Sequence, residues 1–502
     1  MTLDVLDLTR LQFAVVTIYH YFFVPMSISL AFATAGLQTA WLRTRAEHYR
    51  QLTLLVGKLL MITFAVGVVT GLVQEFQFGF GWSAFARFYG DVFGPTLAIE
   101  GMLAFFLEAT FLGLWYFGSG QLPKAVHLAT IWVVAIGTLL SAFIILAGNS
   151  FMQNPVAYEL DPVTGRARLT SVVDLLLNKV NLAAFPHTMS GALMVGGALL
   201  LAIGAWRVRG RRPNPDQLDD VMRDDAIRDD ASVAVGSPGG DTAAFAILAR
   251  LGAWMTVAGG ALTAITGDHL GKVITEVQPM KMAAAEALYS TTTGAPFSVF
   301  AIGKVGGGEP FFSLQVPNLL SILAVGSPNA TVQGIDNLQA QYAAQYGPGS
   351  YIPMVPVAFW TFRAMIGAGL LATGLALAYL WFTRRGRTLD LSRPLPRWLL
   401  RAIPLIPLLP TAANSLGWIF TETARQPWIA FGISKVADGI SPGLTRGEVI
   451  VSLLAFSALY GLLAVLWLRL VLHLAHEPLT PPETTDSSTS FETETADLTP
   501  AY

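Results

Sequence analysis

Nine apolar runs, each long enough to cross a bilayer, constrain this chain more than any other feature. A helix needs about 20 apolar residues to span the hydrocarbon core. Runs of that size fall at roughly 11–40, 52–78, 92–118, 127–147, 181–206, 243–267, 355–383, 399–421 and 448–474. In lipid every backbone polar group must be satisfied internally, so the runs predict an all-α integral membrane protein of about nine transmembrane helices. The surface composition agrees: only 13% of the 502 residues are charged, about half the share usual in a soluble protein.

The residue inventory narrows the chemistry. With no cysteine, a disulfide framework, thiolate-bound zinc, iron–sulfur clusters and thioether-attached haem are excluded. Any metal must be held by His, Met or carboxylate. A net charge of −2 offers no basic face for nucleic acid. The N-terminus carries Asp4 and Asp7 without a basic region, so the first run reads as a span and not a secretory signal.

The runs divide the chain into four parts. Residues 1–267 hold spans one to six, 268–352 form a polar, Gly- and Pro-rich connection, 353–476 hold spans seven to nine, and 477–502 make an acidic, Ser/Thr-rich tail of the disordered type. A charged connection at 207–242 separates spans five and six. Arginine and lysine gather after odd-numbered spans, at Arg43, Arg45, Arg50, Lys124, Arg207, Arg209, Arg211, Arg212, Arg384, Arg385 and Arg387. By the positive-inside rule the N-terminus and the 268–352 loop lie outside and the C-terminus in the cytoplasm.

Ionisable residues inside spans cost roughly 2.5–3.5 kcal/mol each on insertion scales and mark function by default. His20 lies in the first span, Glu100 and Glu108 in the third, His187 near the start of the fifth, and Glu422 at the end of the eighth; His127 and Ser141 bracket the fourth. With the orientation above, His20, His187, Glu422 and Met365 of the seventh span fall at one level toward the outer face. Four candidate iron ligands from four helices make a constellation. On a regular helix Glu100 and Glu108 would differ by about 12 Å in height and about 80° in bearing, so both could border one channel. Each residue also has a structural reading: histidines as helix–helix hydrogen-bond partners, Met365 as core filling, Glu422 paired with Arg425, and the two carboxylates as a buried hydrogen-bonded pair.

The segments RLQFAVVTIYHYFFVP, PTLAIEGMLAFFLEATFLGL, GNSFMQNPV, the Pro186-His187 start of the fifth span, QPMKMAAAEALYS, FWTFRAMIGAG and GWIFTETARQPW resemble, in order and spacing, subunit I of the cytochrome bd oxidases. The resemblance runs from about residue 8 to 475 and implies nine spans, a low-spin haem b, a high-spin haem b and haem d. It makes His187 and Met365 the axial ligands of the low-spin haem. His20 and Glu422 each take a high-spin haem, assigned here as haem d and haem b respectively, with the exchanged assignment open. It further implies that Lys281 and Glu286 bind quinol, that Arg425 and Trp428 support the Glu422 haem, and that Trp418 assists electron transfer. Arg363, about 200° around the helix from Met365, either neutralises a haem propionate or steadies the quinol site. Without the resemblance, Lys281 and Glu286 would read as solvated charges on a surface segment. About 65 residues separate Glu286 from the next span, which resembles the short-loop branch, and Phe151 stands where many members have Trp.

The activity implied is oxidation of quinol at the outer face and reduction of dioxygen to water with cytoplasmic protons passing Glu108 and Glu100, with Ser141 and His127 nearby, and with no pump. Subunit II is the implied partner, with room for a small single-span peptide, in a bacterial inner membrane. Two other readings compete: a proton-coupled transporter built on the buried carboxylates, and a cyanide-insensitive relative with haem b in place of haem d.

Overall fold

A computed structural model of the chain describes residues 4–208, 238–303, 308–385, 388–389 and 396–479. Most of the 207–242 connection and of the tail from 477 therefore lies outside the described residues.

Among the described residues eight helices are long and apolar enough to cross a membrane, and a bent pair supplies a ninth span. They are α1 (Val5–Thr44), α2 (Glu47–Phe80), α3 (Ser83–Phe117), α4 (Lys124–Gln153), α5 (Lys179–Val208), α6 (Pro238–Val277), α7 (Val355–Phe382), the bent α8 (Arg397–Leu405 and Leu408–Thr423) and α9 (Arg446–His476). Most overrun the apolar stretches, because the helix continues into the interfacial layer before its caps stop it. Asp4 caps α1 by accepting from the Asp7 amide at 2.8 Å, and Arg45 in the left-handed region ends it. Thr445 and Glu448 form a capping box at the start of α9.

Small residues set the closest packing. On α5 and α6 a Cβ added at Gly197 would stand 2.7 Å from the Thr256 amide nitrogen, and one at Gly204 2.5 Å from that of Ala249. Without them the two backbones could not approach, which is how membrane helices associate when lipid is as apolar as their side chains. Arg207, at the cytoplasm-facing end of α5 in the orientation read from sequence, donates to the Ala475 and Glu477 carbonyls at 2.9 and 2.7 Å, tying α9 to this pair.

α6 runs on to Val277, into the connection expected at 268–352. The rest of it is a folded layer with helices at Pro279–Glu286, Leu319–Val325 and Ile335–Tyr346, and an antiparallel hairpin pairing Phe297–Ile302 with Phe312–Val316. Met280, Ala284, Leu338, Tyr342 and Tyr351 are buried there with Phe420 and Trp428 from the α8 end. The loop has its own core, which fixes the two charged residues of its first helix.

Candidate functional site

The first loop helix, Pro279–Glu286, starts with proline at its first turn, where no amide is needed. Gln278 anchors it by donating to the Gln153 carbonyl at 2.8 Å. Lys281 and Glu286 are 2% and 4% exposed, which rejects their reading as solvated surface charges. Lys281 Nζ donates to Gln153 Oε1 at 2.6 Å and lies 5.5 Å from the centre of the Phe420 ring. Burial pushes this lysine down to about 7, against the pull of Glu422 and with help from Arg425. Glu286 Oε2 accepts from Arg363 at 2.6 Å, and burial nonetheless pushes the carboxyl up to about 7. Arg363 also donates to the Ser298 and Ala285 carbonyls. The geometry thus ties Arg363 to the Glu286 carboxylate and to two carbonyls of the loop layer.

A hydrogen-bonded chain joins this pocket to Glu422. Gln153 Nε2 donates to Asn149 Oδ1 at 2.9 Å, and Asn149 Nδ2 donates to Glu422 Oε1 at 2.8 Å. Arg425 closes on Glu422 Oε2 and also holds the Trp428 and Ile429 carbonyls. The ion pair weighed for Glu422 is thus present, in a site where Arg425 is almost fully buried. Trp428 supports Arg425 through its main chain. Its indole stacks on Tyr351 at 5.4 Å, in the loop layer. Asn149 and Gln153 were missed as site residues by sequence reasoning. Their signal was available: two amides one helical turn apart at the outer end of an apolar span.

The helices that carry the remaining candidate ligands, α1, α5, α7 and α8, meet one another close to those residues. Tyr21, beside His20, stacks on Trp418 at 5.5 Å and reaches Asn414 Oδ1 at 3.4 Å, while Asn414 Nδ2 contacts the Gly191 carbonyl one turn beyond His187. Met365 lies against Gly417, where an added Cβ would meet its sulfur at 2.8 Å. His20 Nδ1 is 3.0 Å from Thr70 Oγ1, and His187 Nδ1 is 3.4 Å from Thr266 Oγ1. Among the described residues no three His, Asp or Glu side chains gather as a bare metal ion would require. Separate single donors (two histidines, a methionine and a carboxylate) would suit haem iron, which asks few ligands of the protein.

The third span departs from the regular helix assumed for it. A π-helical segment, Glu100–Phe105, interrupts α3, so the 80° bearing expected between Glu100 and Glu108 does not hold. The wider turn has a register that hydrophobic spacing does not encode, and such turns favour functional sites. Ser141 Oγ donates to Glu100 Oε1 at 2.6 Å, and Glu108 lies within electrostatic reach of Glu100. Glu108 is buried against Gly137, with Oε1 lacking a hydrogen-bond partner. His127 has its ring nitrogens 2.8 Å from Gln38 Nε2 and 2.7 Å from the Trp115 carbonyl.

Comparison with known proteins bears on this arrangement. Residues 8–478 match the sequence profile of the family "Cytochrome bd terminal oxidase subunit I". The chain is 38% identical to cytochrome bd ubiquinol oxidase subunit 1 of Bacillus subtilis, covering 92% of this chain and 91% of that one. It is 34% identical to cytochrome bd-II ubiquinol oxidase subunit 1 of Escherichia coli, with 92% and 94% covered. The bd oxidase structure from Geobacillus thermodenitrificans superposes with a TM-score of 0.79 at 25% identity, covering 94% of this chain and 98% of that one.

Proposed function

This chain belongs to the cytochrome bd terminal oxidase subunit I family, and from that membership we propose how its residues divide the work. It is a multi-pass subunit of a quinol:dioxygen oxidoreductase in the bacterial cytoplasmic membrane. The haems, when bound, supply one-electron transfer and the reduction of dioxygen to water. His187 and Met365 would hold the low-spin haem b, His20 would hold haem d, and Glu422 would hold the high-spin haem b.

Quinol binds beside the first loop helix at the outer face. Lys281 orients a ring oxygen, and Glu286 accepts a hydroxyl proton, with Arg363 keeping the carboxylate aimed. A buried carboxyl that titrates near 7 can take that proton and pass it outward. Arg425 and Asn149 orient the Glu422 carboxylate, and Trp418 on Tyr21 fills the space next to His20 with aromatic groups. Protons for water come from the cytoplasm past Glu108 and Glu100, with the Ser141 hydroxyl holding Glu100 in place. The two half-reactions use opposite faces, so charge is separated without a pump. Subunit II covers the exposed apolar face of α3, where Met102, Phe106 and Phe117 point outward.

The observation that carries this reading is the unbroken link Lys281–Gln153–Asn149–Glu422, which joins the quinol-loop lysine to a ligand carboxylate. A dithionite-reduced minus air-oxidised visible spectrum of the purified protein, with quinol-dependent oxygen uptake, tests it. A chlorin band to the red of the b-haem bands is expected. Bands of haem b alone point to the cyanide-insensitive relative, and absence of haem overturns the oxidase reading in favour of the transporter.

A further inference from the structure

The two histidines assigned to haem iron lie on different helices, yet each is backed by the same device on the next spanning helix. His20 of α1 faces the stretch Gly67-Val68-Val69-Thr70-Gly71 of α2, and His187 of α5 faces Thr263-Ala264-Ile265-Thr266-Gly267 of α6. In both, a threonine hydroxyl approaches Nδ1, at 3.0 Å for Thr70 and 3.4 Å for Thr266. In both, the following glycine lets the imidazole lie against bare backbone. A Cβ at Gly71 would stand 3.1 Å from His20 Cε1, and one at Gly267 3.0 Å from His187 Cε1.

The hydroxyl protons decide the tautomer. Thr70 Oγ1 is 3.0 Å from the Val66 carbonyl and 3.0 Å from the Gly67 carbonyl, and Thr266 Oγ1 is 2.7 Å from the Leu262 carbonyl. Each hydroxyl thus has a carbonyl of its own helix as the sink for its proton and offers a lone pair to the imidazole. A carbonyl can only accept. The hydroxyl facing each Nδ1 is then an acceptor, so Nδ1 carries the hydrogen and Nε2 keeps its lone pair.

We propose that Thr70–Gly71 and Thr266–Gly267 are matched positioning elements that hold both ligand histidines in the Nδ1–H tautomer with Nε2 presented to iron. The proposal rests on the haem assignment above. A hydrogen bond from Nδ1–H makes the imidazole a stronger donor to iron, and outer-shell partners of this kind are worth about 10–100-fold in metal affinity or activity.

The test uses the intact oxidase with Thr70→Val, Thr70→Ser, Thr266→Val and Thr266→Ser. Valine keeps the shape and removes the acceptor, whereas serine retains it. Haem content, the iron–histidine stretching band of the His20 site, and the midpoint potential of each haem are the readouts. Each valine variant is expected to retain its own haem about 10- to 100-fold less tightly. The haem that remains should show a more positive potential and, for Thr70→Val, a lower stretching frequency. Serine variants should match the wild type, and each valine change should leave the other histidine's haem untouched. Gly71→Ala and Gly267→Ala probe the same cradle sterically and should move the same potentials. Valine and alanine variants with wild-type bands and potentials would overturn the proposal. A wild-type protein without haem would instead overturn the oxidase assignment, so the two failures are distinguishable.

Discussion

Glu286 and Glu108 are both buried carboxylates, but they are built in opposite ways. Glu286 sits in the loop layer with the Arg363 guanidinium 2.6 Å away, and that arginine is itself fixed by the Ser298 and Ala285 carbonyls. Glu108 lies inside the third span against Gly137 and makes no ion pair among the described residues, although each of the two carboxylates has one oxygen without a hydrogen bond. A compensated carboxylate can hold charge at a fixed point, as a group that takes a proton from a bound substrate must. An uncompensated one has no counter-ion to fix a charge beside it. Such a group suits a proton in transit. The architecture around each carboxylate thus predicts its job better than its residue type does.

Breaking the compensated site should have the largest effect. Arg363→Met removes the charge while keeping bulk, and leaves Glu286 buried without its partner. Losing one member of a buried pair costs about 3–5 kcal/mol. We expect the loop layer to become protease-sensitive and quinol-dependent oxygen uptake to fall below detection. Adding Glu286→Gln should restore protease resistance without restoring turnover, because the base is still missing. A single variant as resistant as the wild type would show that the pair is dispensable to the layer.

The uncompensated site should respond differently. Glu108→Gln is isosteric and neutral, so folding, haem spectra and the KM for quinol should stay close to the wild type. Oxygen reduction should slow on the order of 100-fold, as when a proton-transferring group is lost. Single-turnover measurements would place the delay after electron entry. A rise in KM with kcat unchanged would move Glu108 out of the proton path and blur the contrast with Glu286.

The same physics decides how much of the molecule was legible in its sequence. Lipid tolerates few backbone solutions, so all nine spans could be read from apolar length, and polar residues within them stood out as candidates. The loop obeyed no such rule. Lys281 and Glu286 lie in a polar segment, and only the packing of Met280, Leu338, Tyr342 and Tyr351 around them reveals that both are buried. The π-helical segment at Glu100–Phe105 is a change of hydrogen-bond register in a stretch whose side chains would equally suit an α-helix. Asn149 and Gln153 gained meaning only when α4 met the end of α8 and the first loop helix, a tertiary event that spacing along one helix cannot announce.

The smallest expected effect is the most discriminating for the outer site. Burial pushes Glu286 up and Lys281 down, each to about 7, but quinol oxidation asks opposite things of them. Glu286 must be ionised to accept a proton, which favours pH above 7. Lys281 must be protonated to orient the ring oxygen, which favours pH below 7. The product of the two populations peaks at neutrality, and kcat/KM for quinol should fall about threefold one pH unit to either side. Glu286→Gln, at a lower overall rate, should flatten the acid limb alone, and Lys281→Met the alkaline limb alone. The Glu108→Gln protein should keep both limbs, since its change acts after quinol has given up its electrons. If Glu108→Gln instead reshaped the quinol profile, the two carboxylates would be acting as one coupled site, and the division between held charge and passing proton would have to be abandoned.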